Sequence, residues 1–367
     1  MMKPIYYRTV WAVVLAALVV EPAVPAHGQT QSYTEAIHKA AVFLEEKRIQ
    51  HHIPGMAVAV VVHDSLIWEE GFGLADVENR VPVRPEAVFR IASISKPIAA
   101  VAVMQLVEQG KVSLDDEIQQ YVPSFPQKRW PVTLRHIMTH TSGIRHYRPG
   151  EFEMKRSFDS LAEAITIFKD DPLLFRPGTR YSYSTYAYNL LAGVVETAAQ
   201  MSFERYLQEH VWWPAGMRRT YLEHPRAIVP FRVRQYVLVN EDSLTNAPYA
   251  DLSIKWAGGG MISTVGDLAR FHIALDREIL LKRSTQKLMY TSFVLPDGQK
   301  TNYGLGWRLW TDERGNRWIG HTGGATGGTT VFIRRPEIGF AVIIFANVQR
   351  ARLRPLAFEL AKLFLNQ

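Results

Sequence analysis

The 367-residue chain contains no cysteine. That absence excludes disulfides, thiolate metal sites, a cysteine nucleophile and a lipid-modified N-terminal cysteine. It leaves the redox compartment open, because exported proteins also fold without disulfides. Runs of five or six like charges are missing too, although the net charge is +7. The densest basic stretches, Lys282-Arg283 and Arg350 to Arg354, sit near expected helix termini. The charge therefore reads as scattered solvation, not as a tail or a nucleic-acid surface. No zinc-finger or RNA-binding signature occurs, and nucleic acid is set aside as a partner. Repeats, low-complexity tracts and linkers are likewise absent. With 47% apolar and 21% charged residues the chain can bury a large core, and no part is polar enough to read as disordered.

An apolar run of the about 20 residues needed to span a bilayer is also missing. The N-terminus instead has Lys3 and Arg8, 11 apolar residues from Val10 to Val20, and the small residues Ala26 and Gly28. This is the layout of a signal peptide over residues 1–28, cleaved after Ala26 or Gly28. It predicts an exported protein, periplasmic or secreted, with no stable membrane insertion after cleavage. A retained anchor is the alternative.

In the mature chain, apolar spacing predicts a helix over Ser32 to Glu46. The β-rich run opened by Gly55-Met56, the turn at His63-Asp64-Ser65 and the returning LIWEEGFG predict a hairpin. Phe89 to Gly110 reads as one helix with Ser93 near its start. From Lys111 to about Pro225 the reading is mostly helical, with helices at Thr133 to His140, Ser160 to Asp170 and Tyr188 to Ala199. Two strands, Thr329 to Arg334 and Phe340 to Phe345, follow late, and an amphipathic helix runs from about Leu353 to Leu365. Strands at both ends with helices between predict an α+β fold. It would be one antiparallel sheet built from residues of about 32–112 and 227–367, flanked by helices, with a mainly helical region inserted at about 113–226. A cleft between the two parts would hold the ligand.

Ser93-Ile94-Ser95-Lys96 has the form S-x-x-K, and so has Ser284 to Lys287. Roughly one such match is expected by chance, so context must separate them. Ser93 opens an apolar helix, which places Ser93 and Lys96 on one face, one turn apart. A buried lysine there can lose its proton and accept one from the serine hydroxyl. The plain alternative is a helix cap beside a surface lysine, and that suits Ser284 and Lys287 in their polar surroundings. The phenol of Tyr183 can relay a proton if nearby cations hold its pKa down; with Tyr181, Tyr186 and Tyr188 beside it, aromatic packing is the alternative. His321-Thr322-Gly323-Gly324 reads as the start of a strand whose glycines admit a substrate against the backbone, or else as a glycine-rich turn. The N–H groups of Ser93 and Gly324 are the oxyanion-hole candidates. His136 and His140 lie at i, i+4, but no HExxH glutamate or acidic cluster accompanies them, so no metal and no cofactor is expected. Gly258-Gly259-Gly260 lacks phosphate-loop spacing, and Ser263 with Asp267 reads as a helix N-cap.

On these residues the chain resembles the serine β-lactamase-like family, of the class C β-lactamase and peptidase S12 type, which includes penicillin-binding proteins, D-amino-acid peptidases and esterases. It is similar in particular to the mitochondrial β-lactamase-like branch of animals. The strings that carry the likeness are RIASISK (90–96), YVPSFP (121–126), SGIRHY (142–147), KWAGGG (255–260), STVGDL (263–268) and HTGGA (321–325). The resemblance implies an antiparallel sheet flanked by helices, Ser93 as nucleophile, Lys96 as its base, Tyr183 as proton relay and His321 as third-motif residue. Thr185, Thr322 and Gly323 would bind substrate. Thr185 stands where most members have asparagine. The implied substrate is a small peptide, ester or β-lactam. A catalytically weak penicillin-binding-like scaffold is the alternative function, and the oligomeric state is left open.

Overall fold

The computed structural model describes residues 33–240 and 243–365, so the signal segment expected at 1–28 lies outside the described residues. Helix α1 (Thr34–Gln50) leads into strands β1 (Gly55–Val62) and β2 (Ser65–Asp76). The two residues between them, His63 and Asp64, have φ of 49° and 55°. That is type I′ turn geometry, which matches the twist of the flanking strands. Strands β3 (Val81–Pro82) and β4 (Phe89–Arg90) follow, then a 3-10 turn at Ala92–Ile94 and helix α2 (Ser95–Glu108). Next come α3 (Leu134–Met138), α4 (Leu161–Ala164), α5 (Thr185–Ala199), α6 (Phe203–Leu207), β5 (Tyr221–Leu222), β6 (Tyr236–Leu238) and β7 (Leu244–Asn246). The remainder is α7 (Trp256–Gly259), β8 (Met261–Ser263), α8 (Val265–Asp276), α9 (Arg283–Met289), β9 (Arg308–Thr311), β10 (Arg317–Ala325), β11 (Gly328–Arg335), β12 (Phe340–Ala346) and α10 (Leu353–Leu365).

The main sheet has seven strands in the order β3-β2-β1-β12-β11-β10-β9. Its pairings are antiparallel, and the first long strand pairs with the last, Val58 opposite Ile344. The α+β sheet built from both chain ends is therefore what forms. All eight residues of β1 are buried, because helices cover both faces of the sheet. Met56, Val58, Val60 and Val62 pack with α1 and α10. Ala57, Ala59 and Val61 join α2, α5 and α8 in a second apolar cluster. That cluster runs through the inserted region without a break, so the sheet's inner face and the helical part share one core.

Two expectations need correction. Phe89 and Arg90 belong to a strand, because they pair with Ser263 and Ile262 of β8; the helix begins only at Ser95. The region from 111 to 225 is also less helical than its apolar content suggested. Its only uninterrupted α-helix longer than five residues is α5. Gly143, Gly150 and Gly178 take positive φ there, and backbone bonds such as Ser182 N–H to His140 O (2.8 Å) and Gly178 N–H to Thr141 O (2.8 Å) replace helical ones. No helix among the described residues is long and apolar enough to cross a membrane.

Candidate active site

The turn carrying Ser93 is held from three sides. Arg90 is buried and paired with Glu223 (Nε to Oε2 2.8 Å), and it also donates to the carbonyls of Thr326 and Ala250. This ties the β10–β11 turn to the strand before the serine. Thr330 Oγ1 donates to Ile91 O (3.0 Å) from β11. Ser95 Oγ donates to Ala92 O (2.7 Å) and accepts from Met261 N–H (3.2 Å). Ala92 has φ of 49°, a left-handed conformation that costs a non-glycine residue energy. The strained residue immediately precedes the half-buried Ser93 and turns it into the cleft.

Lys96, on the first turn of α2, is fully buried. Its Nζ lies 3.2 Å from Ser93 Oγ, 3.1 Å from Thr185 Oγ1 and 2.5 Å from Gly258 O. Burial pushes its pKa well down, and the Arg308 and Lys255 charges add to the effect. A neutral amine has two N–H bonds and one lone pair. With Gly258 O and Thr185 Oγ1 taking the N–H bonds, the lone pair is left for the Ser93 hydroxyl. Thr185, expected to bind substrate, is only 3% exposed and so belongs to the lysine's cage. Gly258 closes that cage: a Cβ there would lie 2.6 Å from Thr185 Cγ2 and 2.7 Å from Thr185 O.

Tyr183, in the segment leading into α5, lies with Lys96 Nζ 4.7 Å and the Arg308 guanidinium 5.2 Å from its ring centre. The Ser93 side chain is near enough to favour its ionised form. A relay role was made conditional on nearby cations holding its pKa down. Burial outweighs the influence of Ser93 and the Arg308 charge, and the phenol is pushed up. Tyr183 is therefore a neutral proton donor at neutral pH.

His321 lies in the middle of β10, not at its start. It is fully buried. Its Nδ1 lies 2.7 Å from Thr322 O and its Nε2 3.0 Å from Tyr303 Oη. The carbonyl can only accept, so Nδ1 carries the proton and Nε2 accepts from Tyr303. Burial, then Arg308 and Lys96, push its pKa well below the usual histidine value, so it stays neutral. Thr322 is half-buried. Gly323 packs on the protein's own backbone, where a Cβ would fall 2.5 Å from Ile91 O. Gly324 is exposed, and a Cβ on it would meet nothing. Strand β9 pairs with β10 only as far as Gly320, which leaves the edge from His321 to Ala325 open for an added strand.

Several residues here were given no place in the site from the sequence. His140 is buried against the rings of Tyr183 (4.1 Å), Tyr303 (4.6 Å) and Tyr188 (4.9 Å), and its Nδ1 accepts from Ser184 N–H (3.2 Å). His136 Nδ1 instead lies 3.2 Å from Thr133 N in a capping box, so the two histidines serve different partners. Lys255 is buried, donates to Phe152 O (3.0 Å), and is pushed down to about 8 by burial. Arg308 opens β9 beside Tyr183 and His321. Its Nε is buried with no hydrogen-bond partner, and among the described residues no carboxylate forms an ion pair with it. The glycine-punctuated string Tyr303-Gly304-Leu305-Gly306-Trp307 before it was the available signal. A Cβ on Gly306 would fall 2.5 Å from Ala100 Cβ of α2. Ser284 and Lys287 are exposed on α9, away from this cluster. The N-cap of α8 is Thr264, not Ser263; its side chain accepts from Asp267 N–H.

Comparison with known proteins gives consistent results. A family model described as Beta-lactamase matches residues 31–365. The human serine beta-lactamase-like protein LACTB, mitochondrial, is 30% identical, over 93% of this chain and 82% of its own. Penicillin-binding protein 4* of Bacillus subtilis (strain 168) is 28% identical, over 81% of this chain and 69% of its own. The octameric penicillin-binding protein homologue from Pyrococcus abyssi superposes with a TM-score of 0.78 at 26% identity, covering 90% of this chain and 78% of that one.

Proposed function

The chain belongs to the β-lactamase family of serine hydrolases, and from that premise we propose that it is an exported hydrolase working through an acyl-enzyme on Ser93. The observation that carries the reading is the contact set of Lys96 Nζ, 3.2 Å from Ser93 Oγ with its other two partners already supplied. Neutral Lys96 takes the Ser93 proton as Oγ attacks the acyl carbon. The N–H groups of Ser93 and Gly324 receive the oxyanion. Tyr183 gives its proton to the leaving group, and the proton that Lys96 took from Ser93 is passed on to the resulting phenolate. Water then releases the acyl group by the reverse relay. His321 orients the edge strand as a neutral group and holds Tyr303.

The substrate is an amide, ester or lactam whose acyl chain lies along the open edge of β10. With His321 neutral, Arg308 is a positive charge beside Tyr183, and it supports a substrate that carries a carboxylate. A groove of about 570 Å³ bounded by Tyr181, Leu295 and Asn302 gives room next to Tyr181 for a bulky group. The test is intact-mass measurement after incubation with a fluorophosphonate and, separately, with a labelled penicillin. One adduct on Ser93, absent from Ser93→Ala and retained in Ser284→Ala, is expected. An adduct that persists in Ser93→Ala would overturn the assignment.

A further inference from the structure

Away from the cleft, four buried polar atoms with no hydrogen-bond partner converge at the other end of the sheet. They are Asp64 Oδ1, both ring nitrogens of His272 and Asp276 Oδ2. We propose that Asp64, His272 and Asp276 form a binding site for a divalent ion of the zinc type. One donor atom from each of the three residues lies within 4.8 Å of the others. His272 Nε2 is 3.5 Å from Asp276 Oδ2 and 3.9 Å from Asp64 Oδ1. Ligands bound at 2.0–2.2 Å around a tetrahedral ion stand about 3.4 Å apart, so the donors need only a small contraction.

The fold prepares each ligand. His272 and Asp276 are i, i+4 on α8 and share one face. His272 is fully buried, and an imidazole binds a metal in its neutral form. Asp276 Oδ1 is taken by the Arg334 guanidinium, which orients the carboxylate and leaves Oδ2 free. Asp64 sits in the type I′ turn, and its N–H donates to Gly339 O (3.1 Å) in the β11–β12 turn. Its side chain is 33% exposed, which gives an ion a path from solvent. Two carboxylates carry two negative charges, one already paired with Arg334, and Arg283 stands 3.9 Å from Asp276 Oδ1. Excess negative charge is therefore small. Donor type decides the ion, and an imidazole ligand favours zinc over magnesium or calcium. The bound ion would staple the β1–β2 turn to α8. Thr330, which touches the nucleophile's turn, and Arg334 are four residues apart on β11, so roughly 13 Å separates this site from the cleft.

The rival state is a protonated His272 bridging the two carboxylates without metal. Full-length protein freed of metal with a chelator should bind one equivalent of Zn²⁺ by titration calorimetry. Its melting temperature should rise by about 4 °C at a hundredfold excess over Kd. Asp64→Asn, at an accessible turn, and His272→Gln should each weaken binding at least about tenfold, and millimolar Mg²⁺ should not compete. Metal-free Asp64→Asn should keep fluorophosphonate labelling of Ser93, which separates this site from the active site. Absence of saturable Zn²⁺ binding, or binding equally tight in Asp64→Asn, would overturn the proposal.

Discussion

At the scale of single residues, the active site drives its lysine base and its histidines toward neutrality beside cations that remain. Lys96, His140 and His321 are all pushed toward their neutral forms, by burial first. The Arg308 guanidinium sits among them, 5.2 Å from the Tyr183 ring centre. The consequence for pH follows from the direction of the Lys96 shift. Its neutral form is the base, so the rate of Ser93 labelling should rise tenfold per pH unit while Lys96 is protonated. It should level off once pH passes the depressed Lys96 pKa, well before the ordinary lysine range. Lys96→Ala should lose the rising limb and about 10²–10⁴-fold in rate, measured by stopped acylation across pH. A rate still climbing at pH 10 would mean that the lysine is not depressed. Arg308 leads to a second expectation. Arg308→Gln should lower kcat/KM for a carboxylate-bearing ester by about 10-fold or more relative to its neutral analogue, the loss of one charge-assisted bond. An unchanged ratio would remove Arg308 from substrate recognition.

At the scale of elements, the site depends on where a strand ends and a helix begins. Reading Phe89 to Gly110 as one helix was reasonable from apolar content, but the pairing of β4 with β8 ends any helix before Ala92. The strained Ala92 turn is the junction. Helices α5 and α7 meet at Thr185 and Gly258, and their contact fixes Lys96 Nζ. Gly258→Ala would drive a methyl into Thr185 and move the carbonyl that holds the amine. It should cost about 1–3 kcal/mol of stability, and per folded molecule it should lose far more activity than that. Denaturant unfolding combined with active-site titration by fluorophosphonate checks both. Full labelling rates in a folded Gly258→Ala protein would show that the cage is not needed. The S-x-x-K form of Ser93 to Lys96 was legible in the sequence, but its cage was not. Thr185 and Gly258 are 73 residues apart, and only their packing brings them to the same amine.

At the scale of the molecule, the sheet separates two cores, one behind it with α1 and α10 and one in front with the site. Ile344 faces the rear core and is fully buried, with Val58 and Val331 beside it. Ile344→Ala should therefore cost about 2–5 kcal/mol in denaturant unfolding, with labelling of Ser93 per folded molecule unchanged; slower labelling would mean that the two faces are coupled. The sequence by itself determined the family and the sheet made from both chain ends, and it pointed to Ser93 as the candidate nucleophile. Those are carried by contiguous strings such as RIASISK and HTGGA and by the apolar runs of β1 and β12, where local pattern and local structure coincide. It could not determine which groups cage the Lys96 amine, that Tyr183 is pushed up and not down, that Arg308 lies beside Tyr183, or that Asp64 meets His272 and Asp276. Each of these depends on burial and on contacts between residues far apart in the chain. Desolvation and charge act through space, so tertiary packing alone decided which groups are neutral, which stay charged and which are left without a partner.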